Sequence, residues 1–333
     1  MFGAIGDSLL ASALIDDFRA HFPGARIVVF LSSANRAMEE LIDGVDECVL
    51  VPVARPHRAV RAVRSRAVDV LVDFGQWARI SAILSALART RFTVGLRKAG
   101  QYRHFAYDLV SEQRNDRHEL ENFRDLARCL GVSPQGRPHL RPDALARSLP
   151  VELPKPYIVI HPWAAGHRHD LREWPRARWV ELAQALTAAG YHIAVTGGPA
   201  DRGPSEALVA DIGRGGAQGL AGAVSIAQTA HVLAEAAGVI SVNTGIMHVA
   251  AAIGCPLVAL HGPTNPLRWG PLSDRAVIVG PGAGQGGAYL DLGFEYPPHA
   301  ENIMEAIKVS DVLDGLAQVL PGGAKPAPVH EMV

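Results

Sequence analysis

The chain is 333 residues long, 48% hydrophobic and 20% charged, with a formal net charge of −1. That length predicts two domains of roughly 150 residues each, and the composition excludes a disordered chain. Near-neutral charge and 6% aromatic residues exclude the broad basic surface, interleaved with aromatics, of a nucleic-acid binder.

Three cysteines, Cys48, Cys129 and Cys255, lie far apart and form no CxxC pair. Their odd number argues against a disulfide framework and for a reducing, cytoplasmic setting. Residues 1–15 show neither a basic n-region nor a small-residue cleavage site, so no secretion signal is expected. Apolar stretches near 225–260 are interrupted by His231, Glu235, Asn243 and His248, so no membrane-spanning segment is expected either.

In chain order, a helical pattern over 8–21 comes first, then a strand at RIVVFL (26–31). Helix 34–43, strand 47–51, helix 57–66, strand 68–74, helix 79–88, strand 91–95 and a helix near 117–130 follow. A proline-marked stretch, SPQGRPHLRPDALARSLPVELPKP (133–156), reads as an interdomain linker. The alternation restarts with strand 157–161, helix 176–189, strand 192–197 and helices 205–213 and 225–236. Strand 238–242, helix 245–253, strands 256–262 and 276–280 and a last helix near 310–320 complete it. Strands apolar on both faces that alternate with helices predict parallel, doubly wound sheets. The expected division is 1–150 and 151–333, with ligands outside the carboxyl ends of the strands and in a cleft between the domains.

Four stretches carry candidate chemistry. In GAIGDSLL, Asp7 stands on a glycine-flanked turn: it is suited either to cap helix 8–21 or, facing a cleft, to take a proton from a hydroxyl. In RPHRAVRAVRSR (55–66), Arg55, Arg58, Arg61 and Arg64 recur every third residue, as a solvated helix face or as a dock for an anionic partner. HPWAAGHRHDLREWPRARW (161–179) offers Arg172 for a diphosphate; the spacing of His161, His167, His169 and Asp170 matches no standard metal pattern. In NTGIMHVAAAIG (243–254), Thr244 suits an N-cap, Gly245 permits close approach, and His248 falls one turn on, on the same face. Such a helix start attracts anions; it reads equally as a capped core helix with a satisfied histidine. Gly282, Gly284 and Gly287 give a weak G-x-G-x-x-G, best read as a loop.

GAIGDSLLASALIDDFRAHFPGARI, VDVLVDF, REWP, TGGP and above all NTGIMHVAAAIGCPLVALHGPTNPLRWGP resemble, in order, glycosyltransferase family 9, the lipopolysaccharide heptosyltransferases and their relatives. The resemblance implies a GT-B fold of two Rossmann-like domains, the first binding the acceptor and the second a nucleotide-sugar donor. It implies inverting transfer from an ADP-heptose-type donor, without metal or bound cofactor. By the same resemblance Asp7 is the general base. Arg172 takes the place of a lysine that steadies the donor diphosphate. Thr244, Gly245 and His248 match a phosphate-binding helix start, and Asn243 stands where the family often has aspartate. The acceptor is expected to be an anionic glycan or glycolipid of the lipopolysaccharide inner core, met by Arg58, Arg61 and Arg64, with at most peripheral contact with the inner membrane surface. A soluble small-molecule acceptor, a non-catalytic nucleotide-sugar binder and a dinucleotide-dependent oxidoreductase are the alternatives. Only Met1 and Phe2 stand where the family has a full first strand, so the start of the natural chain is expected upstream, or the chain is truncated.

Overall fold

The computed structural model describes residues 2–282, 287–290 and 295–320. The chain forms two units, Met1–Arg141 and Pro142–Val333. The division falls inside the proline-marked stretch, nine residues before the expected boundary at 150.

The first unit begins with α1 (Ile5–Ser12) and α2 (Ile15–His21). A single helix over 8–21 was expected, and the reason for the break is visible. The N–H groups of Ala13 and Leu14 bond three residues back instead of four, and Ser12 Oγ donates to the Leu9 carbonyl at 2.7 Å. Gly136 packs against this break; a Cβ there would lie 1.8 Å from the Ala13 carbonyl oxygen, so glycine is required. Strand β1 (Val28–Leu31) pairs in parallel with β2 (Glu47–Leu50). The helix expected over 34–43 is only a 3₁₀ turn at Arg36–Glu40. After α3 (Pro56–Val63) come β3 (Ala67–Asp73), α4 (Arg79–Leu87), β4 (Arg89–Arg97), β5 (Leu109–Glu112) and α5 (Glu119–Arg128). Strands β3, β4 and β5 make a second parallel sheet.

Among the described residues no strand precedes β1, and β1 and β3 present their outer edges to a cavity of about 450 Å³. Phe2, Phe18, Phe22 and Leu84 help to line it. Val70, at the middle of β3, is 42% exposed, which is high for a strand inside a doubly wound sheet.

The second unit holds one six-stranded parallel sheet. Its elements are β6 (Tyr157–His161), α6 (Arg176–Ala188), β7 (His192–Val195), α7 (Arg202–Ile212), β8 (Ala217–Gly219) and α8 (Ile226–Ala234). They continue with β9 (Gly238–Val242), α9 (Gly245–Ile253), β10 (Leu257–Leu260), α10 (Pro266–Trp269), β11 (Ala276–Val279) and α11 (Val309–Val319). The strand order is β11-β10-β9-β6-β7-β8. This is the doubly wound order, and the chain reverses direction across the sheet between β6 and β9. Both strands are buried along their whole length. Trp174 and Trp179 meet edge-to-face at 5.1 Å in the core beneath α6, and the Trp174 indole donates to the Ile307 carbonyl at 3.0 Å. The fold class is therefore α/β with parallel, doubly wound sheets.

Candidate active site

At the switch point of the second unit, β6 delivers His161 and β9 delivers Asn243 and Thr244 to the carboxyl end of the sheet. Crevices at such points bind ligands because helix starts and strand ends converge there. His161 Nδ1 lies 3.0 Å from Thr196 Oγ1, and burial pushes the imidazole down to about 4. His261, just past β10, is likewise pushed down by burial to about 4. Asn243 Nδ2 donates to His261 Nδ1 at 3.0 Å, and Thr264 Oγ1 lies 3.3 Å from the same nitrogen. An amide donor matches a neutral imidazole here. A carboxylate at 243 would favour the charged ring instead.

Helix α9 starts at Gly245, with Thr244 in extended backbone at the N-cap. The expected side-chain cap is not formed: no hydrogen bond runs from the helix to Thr244, whose buried Oγ1 has no partner among the described residues. The helix thus offers its first N–H groups and a hydroxyl to an anion, an arrangement contributing about 0.3–2 kcal/mol to anion binding. His248, one turn on, is 6% exposed, enclosed by the unit instead of facing solvent.

Arg172 ends a 3₁₀ turn, His169–Arg172, immediately before α6. Its guanidinium donates to the Ala165 carbonyl, and its buried Nε has no partner among the described residues. In the loop after His161, Glu173 Oε1 accepts from the Ala164 N–H at 3.1 Å and also meets His169 Nδ1 at 3.0 Å. His167 and His169 are exposed while His161 is buried on Thr196, so the histidines do not converge. Among the described residues no group of three His, Cys, Asp or Glu side chains is placed to hold a metal ion. The glycine motif at Gly282, Gly284 and Gly287 runs through 283–286, outside the described residues.

In the first unit Asp7 is not the helix cap. It is the third residue of α1, and its Oδ2 accepts from the Ala4 N–H at 3.0 Å. Gly3 makes this closure possible, since a Cβ there would stand 2.6 Å from Oδ2. Gln76 Nε2 donates to Asp7 Oδ1 at 3.2 Å. Nearby, Asn35 Nδ2 donates to Ser8 Oγ at 2.6 Å, tying the first turn of α1 to the loop after β1.

Gln76 sits on the loop that leaves β3, above a buried polar network absent from the sequence expectations. Arg103, with no exposed side-chain surface, donates to Asp73 Oδ2 at 3.0 Å, Ser81 Oγ at 3.0 Å and Tyr107 Oη at 2.9 Å. Tyr107 Oη donates to Asp73 Oδ2 at 2.6 Å. Burial alone would raise the Asp73 carboxyl, but the Arg103 charge and the bonds from Tyr107 and Gly75 outweigh it and hold the group below the usual carboxylate range.

Arg58, Arg61 and Arg64 are exposed, while Ala59 and Val63 turn inward. Arg64 lies past the end of α3, where its guanidinium donates to the Leu87 carbonyl at the end of α4. In a parallel sheet that edge is the amino end of the strands, opposite the end where Asp7 and Gln76 stand. Only Arg58 and Arg61 remain on the helix body.

Three comparisons bear on this geometry. The family described as Glycosyltransferase family 9 (heptosyltransferase) matches residues 57–286. The lipopolysaccharide heptosyltransferase 2 of Salmonella typhimurium is 25% identical over 83% of this chain and 85% of its own. The lipooligosaccharide heptosyltransferase 2 of Haemophilus influenzae is 35% identical over 112 residues, a match spanning 32% of each chain. Among solved structures, ADP-heptose lipopolysaccharide heptosyltransferase II of E. coli superposes with a TM-score of 0.76 at 21% identity, covering 96% of this chain and 97% of that one. That likeness carries the fold, GT-B.

Proposed function

The chain belongs to glycosyltransferase family 9, and we propose that it moves a heptose-type sugar from an ADP-linked donor to a hydroxyl of a lipopolysaccharide-core acceptor. The observation that carries the reading is the start of α9 at the β6–β9 switch point, where no side chain caps the helix and the Thr244 hydroxyl has no partner among the described residues. The names of the matched relatives, heptosyltransferases acting on lipopolysaccharide or lipooligosaccharide, support the choice of sugar and acceptor.

In this reading the Asp7 carboxylate takes the proton from the acceptor hydroxyl. The hydroxyl oxygen forms its bond to the anomeric carbon as the bond from that carbon to the diphosphate breaks. The electron pair leaves on the diphosphate, and the anomeric configuration inverts. Charge developing on the leaving group is met by the first N–H groups of α9, by Thr244 and by Arg172, once Arg172 exchanges the Ala165 carbonyl for phosphate. Such preorganised donors lower the barrier because they are strongest where charge appears. Neutral His161 and His261 add hydrogen-bonding groups without fixed charge. Arg58 and Arg61 supply cations for an anionic acceptor. The transfer is read as needing neither metal nor bound cofactor. Among the described residues no helix is long and apolar enough to cross a membrane, which is compatible with work in the cytoplasm at the inner face of the membrane.

The test is incubation with ADP-heptose and an inner-core acceptor in the presence of EDTA. Release of ADP with an inverted anomeric product is expected. Strict dependence on added metal, or retention of configuration, would overturn the mechanism.

A further inference from the structure

Two of the contacts that hold the Asp7 carboxylate differ in kind. The bond from Ala4 comes from its own turn and moves with it. The bond from Gln76 crosses 69 residues of sequence and comes from another element. A base that removes a proton during attack must present one oxygen in a fixed direction, and misplacement by about 1 Å costs on the order of 100-fold in rate. A local turn bond alone does not fix the carboxylate plane.

Gln76 is mounted on an unusually rigid base. Gly75 N–H donates to Asp73 Oδ1 at 2.8 Å, and Arg103 donates to the Gly75 carbonyl, so the peptide before Gln76 is clamped on both sides. A Cβ on Gly75 would come within 2.4 Å of Ser81 Oγ and 2.7 Å of the Arg103 guanidinium, so the clamp closes only around glycine. A fully buried ion pair is poor value for stability, because desolvation offsets most of its attraction. Its effect here is geometric: it sets where the Gln76 amide emerges.

We propose that Gln76 is a positioning residue that orients Asp7 as the base, with Asp73, Arg103 and Tyr107 as the framework that fixes Gln76. The inference rests on the reading of Asp7 as the base. It assigns Gln76 no contact with the reacting atoms.

The experiment compares Asp7→Asn, Gln76→Ala and Gln76→Glu with the wild-type chain, using ADP-heptose and an inner-core acceptor across a pH series. Melting curves show whether each variant is folded. Gln76→Ala lowers kcat about ten- to hundred-fold, the equivalent of one charge-assisted hydrogen bond, with the donor KM unchanged. Gln76→Glu keeps the shape but sets a second carboxylate against Asp7. Like charges resist joint ionisation, so the acid limb of kcat moves to higher pH. A Gln76 that does not reach the Asp7 carboxylate would leave that limb in place, and the isosteric Gln76→Glu carries the test if Gln76→Ala does not fold. A wild-type kcat in Gln76→Ala, or an unmoved acid limb in Gln76→Glu, overturns the positioning role while an inactive Asp7→Asn leaves the base intact. A fully active Asp7→Asn overturns the base and the positioning role together.

Discussion

Replacing Arg103 by methionine removes the positive centre of the first unit's polar network while keeping most of its volume. Asp73 then retains the Gly75 N–H at 2.8 Å and the Tyr107 hydroxyl at 2.6 Å but loses its counter-charge at 3.0 Å. Asp73 is 4% exposed and the Arg103 side chain is fully enclosed, so water cannot take over. Breaking such a buried pair from one side costs about 3–5 kcal/mol. The pH dependence gives a second handle, with a definite sign. In the wild-type chain the Asp73 carboxyl is held low, so its contribution is complete above the ordinary carboxylate range and is lost as the pH falls through the folded value. Without Arg103, burial dominates and raises the same group. The variant therefore recovers part of its deficit as the pH drops and Asp73 becomes neutral. Trp77 is the only tryptophan in residues 1–141. Urea unfolding followed by the fluorine resonance of 5-fluorotryptophan at that position reports on the first unit alone. A loss below about 1 kcal/mol, or a loss that stays constant from pH 7 to pH 4, would refute the account of a dry, charge-paired network.

Two further outcomes follow from the second unit. Arg172→Ala weakens ADP binding by about 1.5–3 kcal/mol, the usual contribution of one charge-assisted partner, and calorimetry showing unchanged affinity would remove Arg172 from the donor site. His161 and His261, both pushed down by burial to about 4, stay neutral from pH 8 to pH 5, so their imidazole resonances do not titrate there. Because their folded values lie below the unfolded value of about 6.5, the unfolded chain binds the protons, and stability falls as the pH drops from about 6.5 toward 4. Titration of either ring near pH 6.5 would contradict the burial.

Much of the fold was legible because parallel strands buried on both faces are written as unbroken apolar runs, as in YIVIH and GVISV. The turn at Asn243–Thr244–Gly245 was legible for the same local reason. Strand β5, LVSE, and strand β8, AQG, were missed because short edge strands carry little apolar signal. The alternative of Asp7 as the cap of helix 8–21 fails because the helix starts at Ile5, about one turn earlier, and that shift changes no residue type in the sequence. Thr244 was expected to cap because threonine commonly does, but a residue type does not fix where its hydroxyl turns. Glu173, Gln76 and the Asp73–Arg103–Tyr107 network escaped entirely: their partners are set by tertiary packing. Asp73 meets Arg103 across 30 residues and Tyr107 across 34.

The measurement that tests the central claim most directly is a thermal-shift series with ADP, ADP-heptose, GDP, UDP and NAD, run with EDTA. A ligand at about one hundred times its dissociation constant adds about 2.7 kcal/mol of stability. The account predicts that ADP and ADP-heptose raise the melting temperature without metal, and that Thr244→Val and Arg172→Ala each reduce the shift. Stabilisation by NAD alone, with none from ADP-heptose, would contradict it.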